Sequence, residues 1–191
     1  AGGSEMTPKV YPLLTADDLL LLPDDGNRYE LIEGELVVSR NPGVKHQRVI
    51  ANLVRIIGNY FEKNPAGEVL PNPGVIFDKY NSVIPDVVAL TKRQVDVVGD
   101  GPHVHEAPEL VIEVVSPGGE NARRDRVVKL QVYSKFGVKE YWVADPAART
   151  MEIYRREGDV LALALTLKGD DEVTSPVLPG FSCKAGEFFG R

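Results

Sequence analysis

The spacing of apolar residues predicts two amphipathic helices. From Val44 to about Asn64 the apolar side chains return at helical intervals, and Asn64-Pro65 ends the segment. A second amphipathic segment covers residues 121–136 and is followed by Gly137, which suits the C-terminal cap of a helix. The apolar positions of the first segment are Val49, Ile50, Leu53, Ile56, Ile57, Tyr60 and Phe61.

Short apolar runs between turn residues predict strands. Tyr29–Ile32 and Leu36–Ser39 flank Glu33-Gly34-Glu35, which predicts a hairpin with glycine at its turn. Before it, Thr15 is placed to cap a short helix that ends at Pro23. The later strand-like runs are Gly74–Phe77, Val83–Leu90, Glu109–Ser116, Lys139–Ala144, Thr150–Arg155 and Asp159–Leu167. This order of elements predicts an α/β fold, here a mixed α+β domain.

Length and composition predict one globular domain. The chain has 191 residues, of which 43% are hydrophobic, so it can bury a core. We expect residues 6–191 to form a single domain and residues 1–5, which precede Met6, to be a remnant outside the native sequence. Cys183 is the single cysteine, which excludes an intramolecular disulfide and a cysteine-based zinc site. No apolar run reaches the ~18–20 residues of a membrane span, so the sequence predicts a cytoplasmic protein.

The charge is unevenly distributed along the chain. The net charge is −6, which argues against a non-specific nucleic-acid coat, yet residues 36–156 carry 17 basic and 14 acidic side chains. Arg123, Arg124 and Arg126 make the start of the second helix basic, so Arg124 and Arg126 are candidate phosphate contacts. A solvated helix face is the alternative interpretation.

Two carboxylates lie inside apolar runs. Asp86 stands between Ile84-Pro85 and Val87, and Glu113 stands in Leu110-Val-Ile-Glu-Val-Val115. An ionised carboxylate in such a setting is costly unless it is paired or binds a metal, so the two together favour a divalent-cation site. Because side chains alternate along a strand, Glu113 facing solvent is the alternative.

Six segments together resemble the Uma-two type restriction endonucleases, a family within the PD-(D/E)XK nuclease superfamily. They follow the family's order and cover roughly residues 12–160. The segments are Tyr29-Glu-Leu-Ile-Glu-Gly-Glu-Leu36, His46 at the start of the long helix, Ile84-Pro-Asp-Val-Val88, Pro108-Glu-Leu-Val-Ile-Glu-Val-Val-Ser-Pro117, Arg124-Asp-Arg-Val-Val-Lys-Leu-Gln-Val-Tyr133 and Gly137-Val-Lys-Glu-Tyr-Trp-Val-Ala-Asp-Pro146.

The resemblance implies a restriction-endonuclease-like core with flanking helices and a metal site on neighbouring strands. Asp86 matches the motif aspartate and Glu113 the acidic residue of (D/E)XK, while Val115 occupies the position of the motif lysine. Asp86, Glu113 and the main-chain carbonyl of Val114 would hold Mg²⁺ or Mn²⁺. Lys129 would supply the displaced lysine.

Other positions of the resemblance have weaker support. Glu33 matches an early glutamate and would complete the metal shell; a polar turn residue is the alternative. His46 is a candidate phosphate contact, although it shares the apolar stripe of its helix and could instead be a core histidine. For Lys129 the alternative is a surface pair with Asp125, four residues earlier on the same helical face.

Two functions follow from these residues. The first is a metal-dependent endonuclease that hydrolyses DNA phosphodiester bonds and, to cut both strands, works as a homodimer. Tyr141, Trp142 and the late strands are the suggested apolar interface. The second is a non-catalytic nucleic-acid-binding or assembly module on a nuclease scaffold, which Val115 in the lysine position and the net charge of −6 favour.

Overall fold

The computed structural model describes residues 13–190, without the side chains of Glu120, Asn121, Arg124 and Asp125. The predicted remnant at residues 1–5 lies outside the described residues. The helices are α1 (Ala16–Leu19), α2 (Val44–Lys63), α3 (Lys92–Val98) and α4 (Glu120–Lys135), and a 3₁₀ turn covers Ala185–Phe189. The strands are β1 (Arg28–Ile32), β2 (Glu35–Ser39), β3 (Gly67–Pro71), β4 (Val75–Asp78), β5 (Asn81–Val83), β6 (Val87–Thr91), β7 (Leu110–Val114), β8 (Glu140–Asp145), β9 (Thr150–Glu157), β10 (Val160–Lys168), β11 (Glu172–Ser175) and β12 (Leu178–Lys184).

A six-stranded mixed sheet forms the centre of the fold. Its strand order is β10-β9-β8-β7-β6-β3, with β7 and β8 parallel and the other pairs antiparallel. On one face Ile112 and Val114 of β7 belong to a core with α2 and the C-terminal segment. On the other face Val111 belongs to a core with α4. Since side chains alternate along β7, Glu113 shares the α4 face with Val111.

A smaller four-stranded sheet, β2-β1-β5-β4, contains the predicted hairpin. Glu33 and Gly34 form its turn with φ angles of 49° and 80°, so both adopt the left-handed conformation of a type I′ turn. The predicted run Val83–Leu90 is divided: Val83 ends β5 in the small sheet and Val87 begins β6 in the central sheet. Asp86 therefore lies at the junction of the two sheets.

The suggestion that Tyr141 and Trp142 contribute to a dimer interface is wrong, while the late strands stay a prediction. Both residues lie on β8 in the middle of the central sheet and are 1% and 0% exposed. Tyr141 packs in the core that contains α4, and Trp142 packs in the core that contains α2. These aromatic side chains stabilise the monomer fold. Among the described residues, no helix has the length and apolarity that a membrane span requires.

Candidate active site

Asp86 is the centre of a buried polar cluster and directly precedes β6. Its carboxylate is nearly inaccessible, at 2% residue exposure. The Oδ2 atom accepts a hydrogen bond of 2.7 Å from the main-chain N–H of Val114 at the end of β7, and it lies 3.3 Å from Nε2 of His46 in the first turn of α2. These two contacts fix the carboxylate against both the neighbouring strand and the long helix.

The other oxygen of Asp86 faces Arg28, the first residue of β1. The guanidinium Nη1 lies 3.2 Å from Oδ1. Burial opposes ionisation of Asp86, but the contact with His46, the Val114 N–H and the charge of Arg28 outweigh it, so the pKa of Asp86 lies below its ordinary value. Asp86 is therefore a carboxylate at neutral pH.

Glu113 and Lys129 meet on the α4 face of the sheet. The hydroxyl of Tyr133 donates a hydrogen bond of 2.6 Å to Oε1 of Glu113, and Nζ of Lys129 lies 3.8 Å from the same oxygen. Lys129 and Tyr133 are four residues apart on α4, so they project from one face of the helix. The predicted placement of Lys129 beside Glu113 is thus what the structure shows.

Glu30 of β1 supplies a third carboxylate. It accepts a hydrogen bond of 2.7 Å from the main-chain N–H of Ile84 and a second, charge-assisted one from Nζ of Lys129. Glu30 is only 5% exposed, so its contact with Lys129 is buried. The ammonium of Lys129 therefore lies between the carboxylates of Glu30 and Glu113.

Burial and charge set the protonation of this group. Burial raises the pKa of Glu113 to about 8; Lys129 opposes the shift, and the charges of Asp86 and Glu30 add to it. Burial alone would lower the pKa of Lys129, but the two glutamates outweigh it and the pKa lies above its ordinary value. Lys129 is consequently a permanent ammonium, suited to electrostatic stabilisation rather than to proton abstraction.

The donor set fits a hard divalent cation. Three carboxylates, Glu30, Asp86 and Glu113, lie near the two permanent cations Arg28 and Lys129; burial is the main cause of the raised pKa of Glu113, and the charges of Asp86 and Glu30 add to it. A residue's N–H and C=O lie on the same edge of a strand, so the Val114 carbonyl is directed towards the side of Asp86. Within residues 13–190 no group of three or more His, Cys, Asp or Glu side chains is arranged to hold a metal ion, so at most two of these carboxylates would bind one. An ion such as Mg²⁺, which keeps several waters, suits a site with two carboxylates.

The structure does not bring Glu33 into this cluster. Glu33 lies in the hairpin turn with its side chain 58% exposed, and its Oε1 lies 2.8 Å from Nζ of Lys135. The glutamate of this hairpin that reaches the site is Glu30, because it lies within β1 rather than in the turn. Glu30 stands between Tyr29 and Leu31 in a largely apolar run. It could therefore have been identified from the sequence by the rule that identified Asp86 and Glu113.

The predicted phosphate contacts are separate from one another. His46 is 7% exposed with Nε2 directed at Asp86, so we revise its role from phosphate contact to partner of Asp86. Arg126 forms an ion pair with Glu152 of β9 and lines a cavity of about 460 Å³ beyond the carboxyl ends of β7 and β8. The side chain of Arg124 lies outside the described residues. Arg28, by contrast, was missed, since a single arginine before a strand gives no sequence signal.

Comparison with known proteins gives the family. A family model, Uma2, with the description "Putative restriction endonuclease", matches residues 16–186. The chain belongs to the Uma2 family. This confirms the resemblance found in the sequence and supports a nuclease-like function. No curated protein matches the chain.

A solved structure shows the same fold as this Uma2 chain. It is titled as a "putative nuclease belonging to DUF820" from Anabaena variabilis, with a TM-score of 0.75 and 20% sequence identity. The alignment covers 92% of this chain and 97% of that one. The predicted fold class, a mixed α+β sheet with flanking helices on a nuclease-like core, is confirmed.

Proposed function

We propose that this Uma2 protein is a metal-dependent endonuclease that hydrolyses DNA phosphodiester bonds. The observation that carries the proposal is the buried Glu113, 3.8 Å from the ammonium of Lys129, on the strand whose next residue, Val114, binds the carboxylate of Asp86 through its N–H. Asp86, Glu113 and the Val114 carbonyl would hold Mg²⁺ or Mn²⁺. The ion, when bound, would polarise the scissile phosphate and acidify an attacking water.

Other side chains of the site would stabilise charge on the phosphate and orient the metal ligands. Lys129, held by Glu30, presents a fixed positive charge where negative charge develops on the phosphate. Tyr133 orients Glu113 through its hydroxyl, and the Val114 N–H and His46 orient Asp86. Lys129 thus takes the part of the motif lysine, whose position is occupied by Val115. The homodimer stays a prediction from the need to cut both strands.

The test is a Mn²⁺ titration by calorimetry together with nicking of supercoiled plasmid, on wild type and Glu113→Gln. Glutamine keeps an Oε1 acceptor for Tyr133 but cannot ionise to bind a cation, so we expect the fold to be retained while the metal ligand is lost. We expect Mn²⁺ affinity to fall by at least about 100-fold and nicking to disappear. The control is Glu109→Gln, at the residue before β7, where the glutamate pairs with Lys139 at 3.0 Å on the surface.

The outcomes separate the two candidate functions. Mn²⁺ binding and nicking in wild type and Glu109→Gln, both lost in Glu113→Gln, support the endonuclease. If wild type binds no Mn²⁺ at millimolar concentration, the catalytic assignment is contradicted and the non-catalytic scaffold module is favoured. Val115 at the position of the motif lysine also favours that module.

A further inference from the structure

The two oxygens of Asp86 have different partners. Oδ2 is held from inside the protein by the Val114 N–H at 2.7 Å and by His46 at 3.3 Å. Oδ1 faces the guanidinium of Arg28 at 3.2 Å. The side chain of Arg28 is 20% exposed whereas that of Asp86 is 3% exposed, so of this pair it is the arginine that reaches solvent. A cation that reaches Oδ1 from solvent has to replace Arg28.

Arg28 is held in this position by the loop that follows β3. Its Nη2 donates a hydrogen bond of 2.6 Å to Oδ1 of Asn72, and Nη1 lies 3.4 Å from the carbonyl of Ile84. Asn72 has a φ of 49°, a left-handed conformation that asparagine tolerates, and its N–H donates to the Asp86 carbonyl at 2.9 Å. The loop therefore orients one guanidinium towards one oxygen of the candidate metal ligand.

We propose that Arg28 exchanges with the divalent cation at Oδ1 of Asp86 and, once displaced, becomes a phosphate contact of the nucleic acid. The inference rests on the proposed function. In the metal-free protein the guanidinium neutralises Asp86 and keeps it oriented. A divalent cation at Oδ1 repels the guanidinium from that oxygen, and an arginine at the solvent side of the site has the planar donors that match a phosphate.

The exchange predicts opposite effects on two ligands. Arg28→Met removes the competitor, so Mn²⁺ affinity measured by calorimetry should increase about tenfold, the value of one charge-assisted hydrogen bond. The same variant loses a phosphate contact, so its affinity for a short fluorescein-labelled DNA duplex in Ca²⁺ should fall about tenfold, measured by anisotropy. A gel confirms that the duplex stays intact.

A second variant keeps the positive charge of Arg28. It distinguishes exchange at Oδ1 from a general electrostatic effect of that charge on Mn²⁺ binding. Asn72→Gly retains the left-handed backbone and the arginine but removes the acceptor that holds Nη2. We expect its Mn²⁺ affinity to increase several-fold and its DNA affinity in Ca²⁺ to be at least that of wild type. The control for losing an arginine–carboxylate pair is Arg93→Met, since Arg93 forms a surface pair with Glu106 at 2.6 Å; it should match wild type in both measurements.

Each result decides the inference. Tighter Mn²⁺ binding in both Arg28→Met and Asn72→Gly, with weaker DNA binding only in Arg28→Met, supports it. Unchanged or weaker Mn²⁺ binding in the two variants, while wild type binds the ion, overturns the exchange and leaves the proposed function standing. If neither wild type nor Arg28→Met binds Mn²⁺, the exchange and the proposed function are both overturned.

Discussion

Two lysines on α4 show how burial separates a functional residue from a surface one. Lys129 pairs with Glu30 of β1 and is 14% exposed at its side chain, whereas Lys135 pairs with Glu33 of the adjoining turn and is 54% exposed. Both pairs join a lysine of α4 to a glutamate of the same hairpin. Exposed pairs contribute ~0–1 kcal/mol, while removing one member of a buried pair costs roughly 3–5 kcal/mol.

Lys129→Met should slow nicking strongly without preventing Mn²⁺ binding. The variant removes the ammonium beside Glu113 but leaves Asp86 and Glu113 as ligands, so we expect nicking to fall by about 100- to 1,000-fold, the cost of one electrostatic contact to a transition state. Plasmid nicking and calorimetry measure the two effects. Lys135→Met is the matched control and should nick as wild type does. Equal losses in both variants would contradict the role of Lys129.

The site was partly predictable at the level of single residues. Asp86 and Glu113 were identified as acidic residues within apolar strands, because burying a charge that has no partner is costly. Glu33 was predicted and Glu30 was not, because two glutamates three residues apart in one hairpin differ only in whether the strand or the turn holds them. Arg28 was not predictable, since its contact with Asp86 joins residues from two different sheets.

The predicted bounds of helices and strands were accurate where the local sequence signal is strong. The α2 helix and the β1–β2 hairpin match their predicted ranges closely, because a repeated apolar stripe and a Glu33-Gly34 turn are strong local signals. The strands β3, β11 and β12 were missed, since β11 has only four residues, β3 ends in a proline and β12 contains Pro179-Gly180, so none shows an uninterrupted apolar run. The division of Val83–Leu90 between two sheets depends on tertiary packing and has no local signal beyond Pro85.

Glu140 joins β8 to β11 through a buried carboxylate. It is 0% exposed and accepts hydrogen bonds from Nε1 of Trp142 at 2.7 Å and from Oγ of Ser175 at 3.0 Å. Burial raises the pKa of Glu140 above its ordinary value of 4.5, although both hydrogen bonds oppose the shift. The stability linked to this group is therefore fully present below its unfolded pKa and is lost as pH rises through the folded one.

Glu140→Gln should remove this pH dependence. The amide keeps an acceptor for Trp142 and carries no charge, so we expect the free energy of unfolding of wild type, relative to the variant, to fall as pH increases from about 4 to 8, by ~1.4 kcal/mol per unit of pKa shift. Urea unfolding at several pH values measures it. Glu157→Gln, at the exposed end of β9, is the control and should follow wild type. A constant difference between wild type and Glu140→Gln would show that this carboxylate does not titrate differently on folding.

At the scale of the whole molecule, the candidate site ties separate layers together. Asp86 contacts α2 on one side of the central sheet through His46, while Glu113 contacts α4 on the other through Tyr133. Glu30 adds the small sheet through its pair with Lys129. A ligand at Asp86 and Glu113 would therefore bind only after α2, α4 and the small sheet have packed against the central sheet.

Mn²⁺ should therefore stabilise the entire fold rather than one loop. A ligand that binds only the native state adds about 2.7 kcal/mol to the free energy of unfolding at 100 times its Kd. Trp142, the single tryptophan, is fully buried in the central sheet, so its fluorescence reports the core during urea unfolding. We expect its transition to move to higher urea with Mn²⁺ in wild type and to stay in place in Glu113→Gln. If calorimetry detects Mn²⁺ binding while the Trp142 transition does not move, the site unfolds separately from the central sheet, and the coupling through β6 and β7 is wrong.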